Sequence, residues 1–156
     1  MTETDYDITS GRNVHSVTPH LIVNDGMAAI AFYKAAFGAE EMIVLPRPDG
    51  GLLHGCLSIN GSSVMVADEA CSSVHAPTSL KGTTVSIHLV VANADEAAAK
   101  AVSAGAKLIM PVEDMFWGDR FGVVEDPFGH QWSISTPGKP MSESEMQNAA
   151  AAAFAQ

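Results

Sequence analysis

A near-repetition 68 positions apart constrains this chain more than any other feature. The segment TPHLIVNDGMAAIAFYKAAFGAE, from Thr18, is echoed by SIHLVVANADEAAAKAVSAGAK, from Ser86. His20 aligns with His88 and Val23 with Val91, and Gly38-Ala39 answers to Gly105-Ala106. Repetition over such a period means that one supersecondary unit is used twice. In each copy an alternating apolar run gives way to a polar pair, then to a stretch with helical spacing.

The first copy predicts a strand over 17–23 and a helix N-capped by Asn24-Asp25. Met27, Ile30, Tyr33 and Phe37 form the apolar side of that helix, and Gly38 stops it. Strands follow over 40–46, 52–59 and 63–68, with Asn60-Gly61 as a hairpin turn. The second copy predicts a strand over 84–91, a helix over 94–104 opened by Asn93, and strands near 107–110, 120–125 and 131–136. Asp126-Pro127-Phe128-Gly129 fits a type I turn: an Asx acceptor first, Pro second, Gly fourth. The expected fold is α+β, with duplicated β-α-β-β-β units whose helices cover one sheet face while the other curves around a cavity. The expected organisation is a single domain over 16–137, made of repeats 16–69 and 83–137. A loosely attached tail (1–15) precedes it, and a helical extension (138–156) opened by the Ser142-x-x-Glu145 capping box follows.

The formal charge of -10 argues against nucleic acid and anionic membranes, which need a cationic surface. Cys56 and Cys71 have neither CxxC nor zinc-site spacing, so reduced thiols are expected. No signal peptide, anchor or long apolar run is evident, which makes cytoplasmic the default location.

The duplicated pattern, with VVEDPFGH closing the second unit, resembles the vicinal-oxygen-chelate superfamily of glyoxalase I, extradiol dioxygenases, and fosfomycin- and bleomycin-resistance proteins. FWGDRFGVVEDPFGHQWSI is similar to its PhnB-like branch, and the resemblance covers residues 16–136. It implies a cup-shaped domain, a small organic ligand and a homodimer, to which Met141, Met146 and Phe154 would suit a contact. Metal-using members take one ligand from the first and one from the last strand of each unit. Here those positions fall on Thr18, Ser86, Ser133 and either Met65 or Val66, none a good donor for a divalent ion. The resemblance thus implies a small-molecule site without the usual metal and with no cofactor. A displaced metal set of His20, Asp68 and His88, serving a lyase or dioxygenase, is the alternative, and a drug-sequestering resistance protein without catalysis is another.

Several residues are site candidates. His20 and His88 alternate with apolar neighbours and should face the cavity, as acid–base imidazoles of a lyase- or isomerase-like enzyme or as structural histidines. His54 shares its face with Cys56 and Ser58, while Leu53, Leu57 and Ile59 take the other. Trp117 and Arg120, between glycines, would give an apolar wall and an anion anchor, unless Arg120 pairs with Asp119. Gln131, Ser133 and Ser135 alternate with Trp132 and Ile134 and should line the cavity.

Overall fold

The computed structural model describes residues 14–155. The first module comprises β1 (His20–Val23), α1 (Gly26–Phe37), β2 (Glu40–Pro46), β3 (Leu52–Ile59) and β4 (Ser62–Asp68). After a short linker helix, α2 (Pro77–Leu80), come β5 (Ser86–Val90), α3 (Ala94–Ala104), β6 (Lys107–Asp114), β7 (Arg120–Glu125) and β8 (Gln131–Thr136). The two sheets have the same order, β1-β4-β3-β2 and β5-β8-β7-β6, each with a parallel pair at one edge. The protein is thus the α+β, duplicated β-α-β-β-β fold that the repeat implied. Of the tail expected over 1–15, residues 1–13 lie outside the described residues. His15 is fastened: its backbone N–H donates to Ser63 Oγ at 2.9 Å.

Local chemistry sets the helix ends. Asp25 accepts from the Ala28 N–H at 3.0 Å, and Asn93 does the same for Glu96 at 3.1 Å. Gly38 ends α1 in the left-handed region. A further device recurs at the 68-residue offset. The first backbone N–H of α1, on Gly26, donates to Asp68 at 2.6 Å, and that of α3, on Ala94, donates to Thr136 at 2.7 Å. Each helix is thereby tied to the end of its own module's last strand. A Cβ on Gly26 would stand 2.6 Å from the Leu52 side chain and 2.7 Å from Asp68, so this tie requires glycine.

The helix faces depart in part from the expected pattern. Met27 is exposed, while Ala29, Ile30, Phe32, Tyr33 and Ala36 carry the buried face of α1. The shift arises because α1 packs against two things, its own sheet and the second module. Leu53 is also exposed and Leu52 fully buried, because the β2–β3 register shifts between Leu45 and Pro46. On α3 the small residues Ala94, Ala98 and Ala101 are buried, allowing close approach to its sheet and to α1. The C-terminal α4 (Glu143–Ala153) has its capping box on Ser142 and Glu145 and buries none of its residues.

The modules meet through polar bonds and aromatic packing. In a parallel pair, alternate residues turn both backbone groups toward the neighbouring strand. Pro19 faces β4 and Val91 faces β8, so Ile22 and Val90 turn their carbonyls to the free edges. A side chain from the other module caps each: His130 Nε2 lies 2.9 Å from Ile22 O, and Asn60 Nδ2 donates to Val90 O at 2.7 Å. Ile22 and Val90 are themselves 68 residues apart, so the junction has an approximate twofold character.

Asp126 lies at the centre of that junction. It is buried and accepts four hydrogen bonds: from the N–H groups of Phe128 and His130 at 2.9 Å each, from Trp132 Nε1 at 3.0 Å, and from the Tyr33 hydroxyl at 2.6 Å. The first two build the expected turn, closed by the Gly129 N–H on Asp126 O at 3.1 Å. The last crosses to α1. Tyr33, Phe32 and Phe37 pack there on Phe128 and Trp132, with Phe37 and Trp132 centroids 4.6 Å apart. Burial, then the Asp126 carboxylate, holds the Tyr33 phenol protonated well above its ordinary range. Tyr33→Phe leaves the carboxylate buried with one donor fewer, and the expected cost is about 1–3 kcal/mol in urea unfolding. Asp126→Ala, which strands several buried donors at once, should cost more. Equal midpoints for wild type and both variants would show that the junction does not depend on this carboxylate.

Candidate functional site

The open face of the first sheet is built from a cross-strand row. His20 on β1 pairs with Met65 on β4, Met65 with Cys56 on β3, and Cys56 lies opposite the irregularity in β2 that includes Met42. The Cys56 thiol approaches Met42 Sδ at 3.9 Å. One row along, His54 meets His20 edge-on, with centroids 5.7 Å apart. Desolvation first, and the nearby His54 second, lower the His20 pKa below its ordinary value. Burial pushes the Cys56 thiol up. The other neighbouring row is a hydroxyl knot in which Thr18 Oγ1 lies 2.8 Å from Ser63 Oγ and His15 Nδ1 lies 3.2 Å from it.

The corresponding face of the second sheet has different chemistry on the same plan. His88 Nδ1 lies 2.7 Å from Ser133 Oγ, and its ring stacks on Phe121 at 6.1 Å. Trp117 meets Phe121 edge-on at 5.3 Å and Phe116 at 5.0 Å, and Phe116 in turn touches Phe154 beyond α4 at 6.0 Å. Gln131 reaches Glu125 at 3.4 Å. Ser135 donates to Asp119 at 3.2 Å, and the other Asp119 oxygen accepts from the Gly138 N–H at 3.1 Å. The face is thus an imidazole with its hydroxyl partner, an aromatic wall and two carboxylates.

Three expectations need correction. Arg120 is neither an anion anchor at this face nor the partner of Asp119. Its guanidinium donates twice to Asp95 on α3 at 2.7 Å, to Asp114 at 3.0 Å and to Val112 O at 3.2 Å. These bonds clamp β6 and β7 to the first turn of α3, hold Asp95 below the usual carboxylate range and raise the pKa of the guanidinium. Asp68 is no candidate ligand either, since its oxygens accept from the N–H groups of Gly26 at 2.6 Å and Leu52 at 2.9 Å and from Arg47 at 3.4 Å. His20 and His88 do not converge. His20 borders a cleft of about 600 Å³ with Val74, Leu80, Val85 and His130, and His88 borders another of about 570 Å³ with Ser62, Asn60 and Trp132. The alternative set of His20, Asp68 and His88 is therefore not assembled, and among the described residues no three His, Cys, Asp or Glu side chains form a metal-holding group.

The register also settles the choice between Met65 and Val66. Met65 stands opposite His20 as Ser133 stands opposite His88, whereas Val66 is fully buried among core side chains. Thr18 and Ser86 lie one row away, beside Ser63 and opposite Gln131. Four contributors escaped the sequence reading: His15, Phe121, Met42 and His130. Phe121 and His130 were legible within the FWGDRFGVVEDPFGH run, but nothing local says which neighbour each one meets.

Comparison with known proteins agrees with this geometry. The Glyoxalase/Bleomycin resistance protein/Dioxygenase superfamily matches residues 13–134. The uncharacterized protein Rv0887c of Mycobacterium tuberculosis is 46% identical over 138 residues, spanning 86% of this chain and 81% of the relative. The Arabidopsis thaliana gene product At5g48480 shares the fold at TM-score 0.65 and 31% identity, over 78% of this chain and 98% of that one. The PhnB protein of Bacillus cereus does so at TM-score 0.58 and 17% identity, over 78% and 99%. A duplicated β-α-β-β-β chain with a histidine on the open face of each sheet is thus the class defined here. The chain belongs to the Glyoxalase/Bleomycin resistance protein/Dioxygenase superfamily.

The depressed His20 pKa has a pH consequence. Below its unfolded-state value of about 6.5 the unfolded chain binds the proton more readily than the folded one. His20 therefore costs no stability above that value and destabilises the fold as pH falls through it. Urea midpoints should drop further between pH 7.5 and 5.5 for wild type than for His20→Gln. Parallel curves would show that His20 has no perturbed titration.

Proposed function

We propose that this protein binds a small organic molecule at the open face of its second module. His88 and Ser133 serve as the polar contact, and Trp117 and Phe121 as the apolar wall. The observation that carries the reading is the His88–Ser133 hydrogen bond beside the stacked Phe121 ring. With Nδ1 engaged by the hydroxyl, Nε2 is the ring nitrogen left for a ligand or for proton transfer. Gln131 completes the polar edge of this face, and the His54–His20 imidazole pair stands apart from it on the first module.

Charge narrows the ligand class. Arg120 is neutralised by Asp95 and Asp114, while Glu125 lies beside the Gln131 amide and Asp119 beside the Ser135 hydroxyl. A neutral or cationic aromatic or carbonyl compound fits this face better than an anion, consistent with a protein of net charge -10. Such a face suits either a lyase- or isomerase-like step at His88 or simple sequestration. The proposed protein works as a homodimer in the cytoplasm. Exposed Met146 and Phe154, and Leu108 and Ile109 on β6, support a contact between copies, and the two free thiols support a reducing compartment.

A small-molecule screen read by tryptophan fluorescence tests the proposal. Trp132 is buried in the core, so the responsive signal should come from Trp117. Trp117→Ala should weaken binding of a hit at least tenfold, and Arg120→Gln should leave it unchanged. His88→Ala should abolish turnover with affinity retained if the protein is an enzyme, and should only weaken binding if it sequesters. Hits indifferent to Trp117 and His88 would overturn the reading.

A further inference from the structure

The first module's open face holds a chemistry that the ligand reading does not use. Three sulfur side chains, Met42, Cys56 and Met65, come from three neighbouring strands along one row, and the row ends at His20. Sulfur is a poor hydrogen-bonding group and a good soft ligand, and thioethers with thiolates select monovalent, polarizable ions. We infer that Met42, Cys56 and Met65, with His20 or His54, form a binding site for a single soft monovalent cation such as copper(I). The second module has no counterpart. At the positions equivalent in strand register Met65 becomes Ser133, Cys56 becomes Val123 and Met42 becomes Ile109, so the row is a local departure from the repeat.

Geometry supports the assignment. Two sulfurs bonded to one ion at about 2.3 Å each, as in thiolate sites, and arranged trigonally, stand about 4 Å apart. The Cys56 and Met42 sulfurs are already 3.9 Å apart. Met65 is the cross-strand neighbour of both Cys56 and His20, so its flexible thioether is within reach of the same spot. That no three His, Cys, Asp or Glu side chains group together among the described residues is no obstacle, because the thioethers supply the remaining donors. Cys56 itself is buried, but His20 is exposed and His54 and Met65 are half-buried, which gives an ion a way in from the open face.

Binding is a proton exchange. The ion replaces the hydrogen on Cys56, forming one metal–sulfur bond and breaking the S–H bond, and the released proton passes to solvent or to a neutral imidazole nearby. No electron transfer is involved. Burial, which disfavours a free thiolate at Cys56, leaves the thiol protonated until a cation compensates the charge.

The test uses the full chain under reducing, anaerobic conditions, with silver(I) as a redox-silent probe and copper(I) in competition with a chromophoric chelator. Cys71 is exposed and free, so Cys71→Ser is the background in which to work. The expected result is one ion per chain in that background. Met42→Leu and Met65→Leu should each lower affinity about tenfold or more with unchanged melting in the absence of ion, and Cys56→Ser should abolish the site. X-ray absorption of the copper(I) form should show mixed sulfur and nitrogen neighbours. Loss of all binding in Cys71→Ser, or affinity indifferent to both methionine variants, would overturn the site and reduce it to a reactive thiol. Neither outcome bears on ligand binding at Trp117 and His88, which is read separately by fluorescence.

Discussion

One buried carboxylate, that of Asp126, holds the two halves of this molecule in register. A lone ionised group in such surroundings would be strongly unfavourable, but here each oxygen is satisfied twice: the turn supplies two backbone N–H groups, Trp132 an indole N–H and Tyr33 a hydroxyl. Because the donors come from both modules, the carboxylate is fully satisfied only when the modules have docked. The aromatic cluster around it and the contact of α1 with α3 bury apolar surface at the junction, yet burial is non-directional. The carboxylate adds the direction, fixing where α1 lies against the β7–β8 turn.

Around that point the duplication preserves scaffolding and varies chemistry. Helix caps, the ties from Gly26 to Asp68 and from Ala94 to Thr136, and the capped edge carbonyls of Ile22 and Val90 all recur or nearly recur. The open faces diverge around a shared histidine. His20 has an imidazole and thioether neighbours, whereas His88 has a hydroxyl and a phenyl ring. Asp68 is not a ligand because its oxygens are taken by the Gly26 and Leu52 N–H groups and by Arg47; its counterpart Thr136 makes the helix tie alone, without a charge. Two copies of one scaffold thus carry two separable chemistries, and a change on one face leaves the other intact.

Element order and fold class were legible because they rest on local rules: period, caps and turn residues. The 94–104 helix and the turns at Asn60-Gly61 and Asp126–Gly129 stand where those rules put them. The alternation that turns His54, Cys56 and Ser58 to one face was legible as well. Less legible was anything set by a partner distant in sequence. Arg120 looked free because Asp95, 25 residues away, is brought to it only by α3 packing on β7. Met27 looked buried because helical spacing cannot say which stripe meets a second module.

In the sequence by itself, local rules were enough for the helices, the turns and the order of the strands, and the 68-residue repeat was enough for the twice-used unit and its family. Tertiary structure alone decided which charges are neutralised, that His20 and His88 serve different faces, and that Met42, Cys56 and Met65 share a row. The physical reason is the same throughout. A side chain's chemistry depends on what lies within about 4 Å of it, and the chain brings those neighbours from 14 to more than 100 positions away.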